Sequence, residues 1–467
     1  MSNNLQRKYG LFTAICMVVG IVIGSGVFFK AQTILQKTGG DMPLGIVAWI
    51  IGGAIMLACL LAFAFMGQKY EKVNGIVDYA EATVGSDYGY MMGWFASTIY
   101  YPAMNSALAW LTARYTLVFL TAVGMPLSAG SNPVTGPECM ILALFFMAFS
   151  YAVNALSPKL AGKFQTSTTV IKLIPLGLMA VVGIAYGLIN GTLANNFVTP
   201  VQMDGVSASP LFAAVCATSF AYEGWIIATA INSELKDSKK NLPKALVIGG
   251  IIIVAVYIFY YVGVAGGASN AQLITDGAQV AFTNIFGNVF GNILNLFIAI
   301  SCFGTLNGLM LGTCRGMYSV AARGRGPAPK VFSKVDETTD MPSNSCVFAL
   351  VITAFWLAYF YFANLWTGDM NGQPVSFAGK PFAFDSTELP IITIYLMYLP
   401  IFFQWIRKEK DQSVMRRFVM PILAMCGSAF MVLACIVSHK MACFWYVILY
   451  AVVMLIGWLL DAKNRKK

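Results

Sequence analysis

Histidine is nearly absent: His439 is the only one in 467 residues. That excludes a histidine-based metal centre and a Ser-His-Asp arrangement. Charge is scarce as well. Charged residues make up 11% of the chain, where a soluble domain carries about 25%. No Cys-x-x-Cys pair occurs among the ten cysteines, most of which lie inside apolar runs. They read as small buried hydrophobes, not as a disulfide framework or a zinc site. An HExxH motif, clustered histidines and a GxSxG in a suitable setting are all missing, so a membrane-embedded enzyme has no constellation to work with. The repeated filter loops of a channel are missing too. No loop is long enough for a soluble domain. No cleavable signal peptide is evident, because the polar N-terminus leads into an apolar run that continues.

What remains is apolar. Hydrophobic residues make up 58% of the chain, and the mean hydropathy is +0.71. Twelve long runs follow one another at about 11–37, 44–68, 89–121, 139–157, 164–190, 209–235, 244–267, 284–318, 344–364, 383–405, 417–437 and 441–460, each near or above the ~20 residues that cross a bilayer. The fold class expected is an all-α polytopic membrane protein. Placing the N-terminus in the cytoplasm leaves Lys37, Lys380 and Lys440 in outer loops and Lys30, Arg114 and Lys172 within spans. All the other Lys and Arg of the 30 then fall on the cytoplasmic side. The net charge of +10 is thereby explained by topology, with no need for nucleic acid. Lys30 and Arg114 sit near outer span ends, where long side chains snorkel. A short amphipathic piece at 77–84 is expected on the cytoplasmic surface, and a short helix within 268–283 outside.

Two runs carry an interruption. Gly20-Ile-Val-Ile-Gly24-Ser25-Gly26-Val27-Phe28 breaks the first, and Ser219-Phe-Ala-Tyr222-Glu223-Gly224-Trp225 breaks the sixth. Glycine and serine are poor helix residues, and unwound backbone at membrane depth is tolerated only around a cavity or inside protein. Small residues also serve for close helix packing, so the first motif alone decides nothing. Each interrupted run opens a group of five, which points to an inverted-repeat secondary transporter. Broken helices offer N–H groups to a carboxylate and C=O groups to an ammonium, as an amino acid requires. Glu223 adds a negative charge, either functional or a brace for the break. Lys172 lies about 13 Å into its span at 1.5 Å per residue, too deep to snorkel easily.

These residues resemble the amino acid–polyamine–organocation superfamily, most closely its bacterial members related to L-type amino acid transporters. The resemblance rests on Gly24-Ser-Gly-Val-Phe28, Phe220-Ala-Tyr-Glu-Gly-Trp225, Asn241-Leu-Pro-Lys-Ala245, Ser301-Cys-Phe-Gly-Thr-Leu-Asn-Gly308 and the Arg315 to Gly324 segment. It implies a five-plus-five inverted repeat, 1–190 and 191–405, with two further helices in 406–467. It implies that Gly24, Ser25 and Gly26 take the substrate carboxylate. Backbone at Val22, Ile23, Phe220 and Ala221 takes the amine, and Tyr222 and Trp225 border the side-chain pocket. Ordinary packing is the alternative for both aromatics. Lys172 matches a fifth-span lysine standing where sodium-coupled relatives bind sodium. Its expected contacts are carbonyls at Gly20 and Ile21 and hydroxyls of Ser301 or Thr305, with Tyr257 nearby.

The function implied is sodium-independent amino acid transport across the plasma membrane, by exchange of neutral amino acids or proton-coupled uptake. The alternative is a polyamine or cationic amino acid antiporter with Glu223 as ammonium partner. L-type members commonly have Gly at the position of Glu223. The family's Gly-Gly-x-Tyr pattern stands here as Gly75-Ile-Val-Asp-Tyr79. No cofactor or metal is expected. Residues 122–138 hold no cysteine, so no disulfide-linked accessory subunit is expected either.

Overall fold

The computed structural model describes residues 10–70, 75–128, 131–198, 201, 208–228, 235–370, 373–377 and 380–464. Among them helices dominate, and nine are long and apolar enough to cross a membrane: Met42–Lys69, Pro137–Leu156, Ile171–Ile189, Lys239–Gly267, Ala278–Ala321, Ser343–Leu365, Leu389–Lys408, Met415–His439 and Met441–Leu460. The expected spans at 11–37, 89–121 and 209–235 are not among the nine, for physical reasons. The first is cut into Leu11–Val22 and Gly26–Lys37. The third runs on as Ser86–Phe95, a π turn at Ala96–Tyr100, and Tyr101–Ala122, which is long enough to cross but less apolar, with Asn105, Ser106, Thr112 and Arg114 along it. The sixth is cut into Pro210–Ala221 and Trp225–Ala228, and residues 229–234 lie outside those described. One feature departs from an all-helical chain, an antiparallel hairpin of Thr367–Met370 and Gln373–Ser376.

The chain gathers into two compact units. The first takes Met1–Gly89, Leu176–Ile285 and Ile391–Ser438, and so contains both interrupted helices. The second takes Tyr90–Pro175, Phe286–Pro390 and His439–Lys467.

In the first unit, four glycines let two helices meet backbone to backbone. A Cβ on Gly183 would lie 2.5 Å from Gly263 O, and one on Gly266 would lie 2.1 Å from Gly183 O. A Cβ on Gly187 would come within 2.4 Å of Gly266 Cα. Small residues on facing helices do this where lipid supplies no hydrophobic drive for helix association. The segment 77–84 forms the helix Ile76–Thr83, but it is not a surface element. Val77, Tyr79, Ala80 and Thr83 are buried, and the Tyr79 ring meets Phe63 at 5.5 Å. The outer helix appears as Asn270–Asp276, capped by Ser269 and Gln272 in reciprocal hydrogen bonds. Gln32 and Gln36 of the second half-helix both donate to its Ile274 carbonyl, at 2.9 and 2.8 Å. Where Met42–Lys69 ends, Lys69 pairs with Glu409 and Asp411, and Tyr70 donates to Glu409. The Lys69 ammonium holds the Asp411 carboxyl below its ordinary range.

In the second unit, polar side chains cross-link helices. Asn154 donates to the Asn307 carbonyl and its Oδ1 at 3.1 and 2.9 Å, and Asn105 donates to Thr313 at 2.7 Å. Arg325 grips Asp461 through two nitrogens at 2.9 and 2.6 Å, while the Gly326 N–H donates to the same carboxylate.

The glycine crossing is directly testable. Gly266→Leu should destabilise the protein by about 3 kcal/mol or more, because the added side chain meets backbone that has nowhere to move. Gly177→Ala, with nothing within 4 Å of its Cβ, should be neutral. Thermal unfolding of both variants in detergent measures the contrast, and equal melting temperatures would refute it.

Candidate functional site

The first interruption is short. Ile23 is extended (φ −68°, ψ 101°), Ser25 returns to helical angles, and the second half-helix starts at Gly26. At the second interruption the helix stops at Ala221, and Gly224 adopts φ 101°, which a side chain would resist. Each break leaves carbonyls at one helix end and N–H groups at the next start without intrahelical partners.

Tyr257 meets both breaks. Its hydroxyl lies 2.9 Å from the Ala221 carbonyl and 3.1 Å from the Val22 carbonyl, so one donor serves the C-terminal ends of two half-helices. The residue expected beside Lys172 is thus found at the junction of the two breaks. The three residues expected to hold a carboxylate, Gly24, Ser25 and Gly26, lie at the first break and the start of the second half-helix. Ser25 is buried, and its Oγ has no hydrogen-bond partner among the described residues.

Gly26 has a different reason for being glycine than sequence suggests. A Cβ there would fall 2.6 Å from Ala221 Cα and 3.0 Å from Phe220 O. Its bareness lets the second half-helix cross Pro210–Ala221 at backbone contact. A β-branched residue at 26 would fail by forcing the helices apart before it covered any N–H.

Tyr222 faces away from the breaks toward Met42–Lys69. Its hydroxyl donates to Trp49 O at 2.9 Å, and its ring meets Trp49 edge-on at 5.6 Å and Tyr257 at 5.2 Å. Trp225 is fully buried among Phe63 and Tyr398, each 5.7 Å away. Both aromatics pack against neighbouring rings beside the second break. Glu223 is buried within the second break.

Lys30 departs from expectation. It does not snorkel: it is 1% exposed, with its Nζ 5.2 Å from the Phe29 ring and 5.4 Å from the Phe220 ring. Gly20 and Ile21 lie in the helical first half, Leu11–Val22.

Lys172, Ser301 and Thr305 belong to the second unit. Lys172 is buried. One turn before it, Thr168 packs against Gly304, where a Cβ would fall 2.4 Å from the threonine Oγ1. That crossing brings the lysine-bearing helix onto the turn between Ser301 and Thr305. Ser301 Oγ is buried and has no hydrogen-bond partner among the described residues, and Thr305 donates to the Ser301 carbonyl at 3.1 Å.

Removing one oxygen tests the Tyr257 junction. Tyr257→Phe leaves two buried carbonyls short of a donor and should cost about 1–3 kcal/mol. A lower melting temperature is expected, together with a weaker stabilising shift from bound amino acid. An unchanged melting temperature would show that other groups serve those carbonyls.

The amino acid permease profile matches residues 9–459. The serine/threonine exchanger SteT of Bacillus subtilis is 29% identical over 451 residues, covering 94% of each chain. The human b(0,+)-type amino acid transporter 1 is 26% identical, over 96% of this chain and 86% of its own. The human large neutral amino acids transporter small subunit 2 is 27% identical, over 73% of this chain and 62% of its own. With its multiple membrane-spanning helices, the chain belongs to the amino acid permease family of the amino acid–polyamine–organocation superfamily, whose members are transporters and not enzymes.

Proposed function

We propose that the protein moves amino acids across the plasma membrane by alternating access without sodium, exchanging neutral amino acids or taking them up with protons. The observation that carries this is the pair of broken helices whose free ends converge on Tyr257 and Gly26. An amino acid α-carboxylate would take the N–H groups at the Ser25–Gly26 start. Its ammonium would take carbonyl oxygens at Val22, Ile23, Phe220 and Ala221, each of which has two lone pairs, so a tyrosine bond does not exhaust it. The proposed topology has twelve spans with both termini cytoplasmic. Residues 1–190 and 191–405 are its inverted repeats, and 406–467 holds the last two spans. No disulfide-linked accessory subunit is proposed, because residues 122–138 hold no cysteine. Glu223, buried at the second break, sustains the second reading of a polyamine or cationic amino acid antiporter.

Lys172 decides the coupling. A buried ammonium in the place of a coupling sodium would repel that ion strongly at low dielectric. Its loss should alter the balance of access states and slow turnover more than it weakens binding. The assay is exchange of labelled neutral amino acids in proteoliposomes, with and without sodium. Wild-type exchange should be equal in both, and Lys172→Ala should lose about tenfold in turnover with a smaller change in half-saturation. Sodium-dependent uptake by the wild type, or full turnover by the variant, would overturn the reading. Exchange of arginine or putrescine in preference to neutral amino acids would favour the antiporter.

A further inference from the structure

Five cations crowd the short turn between two spans. Leu389–Lys408 ends on Arg407 and Lys408, Lys410 follows, and Met415–His439 opens with Arg416 and Arg417. Basic residues are ordinary beside spans, where they set orientation and need no particular arrangement. Here they are arranged. The Trp405 ring N–H donates to the Arg416 carbonyl at 3.1 Å, and Arg417 Nε donates to the Ile406 carbonyl at 2.9 Å, so the two span ends are tied together. Three guanidiniums lie against aromatic rings: Arg407 is 5.7 Å from Phe403, Arg416 is 5.2 Å from Phe65, and Arg417 is 4.6 Å from Phe418. A ring face steadies a guanidinium without using its N–H donors.

The two carboxylates of this turn are taken by another cation, since Glu409 and Asp411 both pair with Lys69. Among the described residues, no ion pair engages Arg407, Lys408, Lys410, Arg416 or Arg417. Four of these five are exposed, and Arg417 is half-buried. Arg416 and Arg417 stand in the first turn of their helix, where the dipole opposes a cation, so helix stability does not account for them. Phe403, Val414, Met415 and Phe418 are exposed in the same place. The turn therefore joins an excess of positive charge to an apolar surface at the end of two spans.

We propose that this turn binds the headgroup of an anionic phospholipid. The lipid phosphate takes N–H donors of Arg407 and Arg416, a pairing that suits the planar guanidinium, and Lys408 and Lys410 add to the attraction. The acyl chains lie along Phe403, Val414, Met415 and Phe418. A soluble anion would meet the same charges but would leave that apolar surface uncovered. Groups of about four to eight basic residues beside a span attract anionic lipid in this way, and the proposed topology puts the turn on the cytoplasmic side, where such lipids are drawn on. The site does not depend on where an amino acid binds.

The test uses the full chain in a non-ionic detergent with phosphatidylglycerol and phosphatidylcholine of matched acyl chains. Native mass spectrometry reads the lipid retained, and thermal unfolding reads the stabilisation. Wild type should retain phosphatidylglycerol at least about tenfold over phosphatidylcholine, at roughly fivefold per surface cation engaged. Only phosphatidylglycerol should raise the melting temperature. Arg407→Gln/Arg416→Gln should remove most of the preference, and Lys408→Gln/Lys410→Gln should at least halve it. Lys330→Gln/Lys334→Gln, in another loop, should keep it. Equal retention of the two lipids by wild type overturns the proposal, as does an unchanged preference in the turn variants. An equal loss in Lys330→Gln/Lys334→Gln overturns it too, because the preference would then belong to diffuse surface charge. Stabilisation by free glycerol phosphate as strong as by the lipid would make the occupant a soluble anion and overturn the lipid assignment. The wild-type comparison of lipids decides by itself if the arginine variants fail to fold.

Discussion

The constraint on which this structure depends is that every backbone N–H and C=O at membrane depth needs a partner. An unbroken helix satisfies its own. Two helices here are cut, so carbonyls at Val22 and Ala221 and N–H groups from Gly24 onward must be satisfied by other means. A single phenol meets part of that need: Tyr257 stands within hydrogen-bond reach of both carbonyls. Its place is held in turn by an aromatic group. Trp49 meets Tyr257 at 5.4 Å and Tyr222 at 5.6 Å, and Tyr222 hangs from the Trp49 carbonyl. The glycines of Met42–Lys69 make room for this group. A Cβ on Gly52 would meet Thr218 Oγ1 at 2.0 Å, and one on Gly53 would meet Val254 at 2.6 Å.

This arrangement limits how a ligand can act. A substrate ammonium gains little by taking a carbonyl that is already fully served, because the exchange returns about one hydrogen bond for another. It gains more where a lone pair is spare or where one proton is divided between two acceptors. The Tyr257 hydroxyl is so divided, with one hydrogen for two carbonyls. A ligand that relieves one of them lets the tyrosine commit to the other. Binding then changes the tie between the two half-helix ends, and a differential contact of that kind is what shifts a conformational balance.

The breaks were legible because Gly-Ser-Gly and Glu-Gly are chemically out of place in apolar runs. Their partners were not. Tyr257 sits among Val, Ile, Phe and Tyr in a run that shows no period of its own, so only three-dimensional placement separates a junction from packing. The motif shows that Gly26 leaves backbone bare, but not that this bareness also admits Ala221, a residue far away in sequence. Lys30 was placed by its distance from a span end. That measure is blind to the Phe220 ring, which belongs to another helix and covers the lysine's route to the surface. Lys172 was easier, because depth alone marks it. The first and sixth spans escape the helix count for a related reason, since a span cut in two loses the length by which spans are recognised; the third keeps its length and is too polar.

Charge also divides the roles at the breaks. Helix ends supply partial charges fixed in direction and screened from water. They suit the α-carboxylate and α-ammonium that all amino acids share. A full charge on a side chain is more costly to bury, and it is worth keeping only where it distinguishes one state or one ligand from another. The backbone of the two breaks therefore reads what substrates have in common. Lys30 and Glu223 are both buried residues with ionisable side chains, one over the Phe220 ring and the other within the second break. The backbone offers the same groups to every amino acid, so discrimination among substrates has to come from side chains, through contacts that reward one ligand and penalise another.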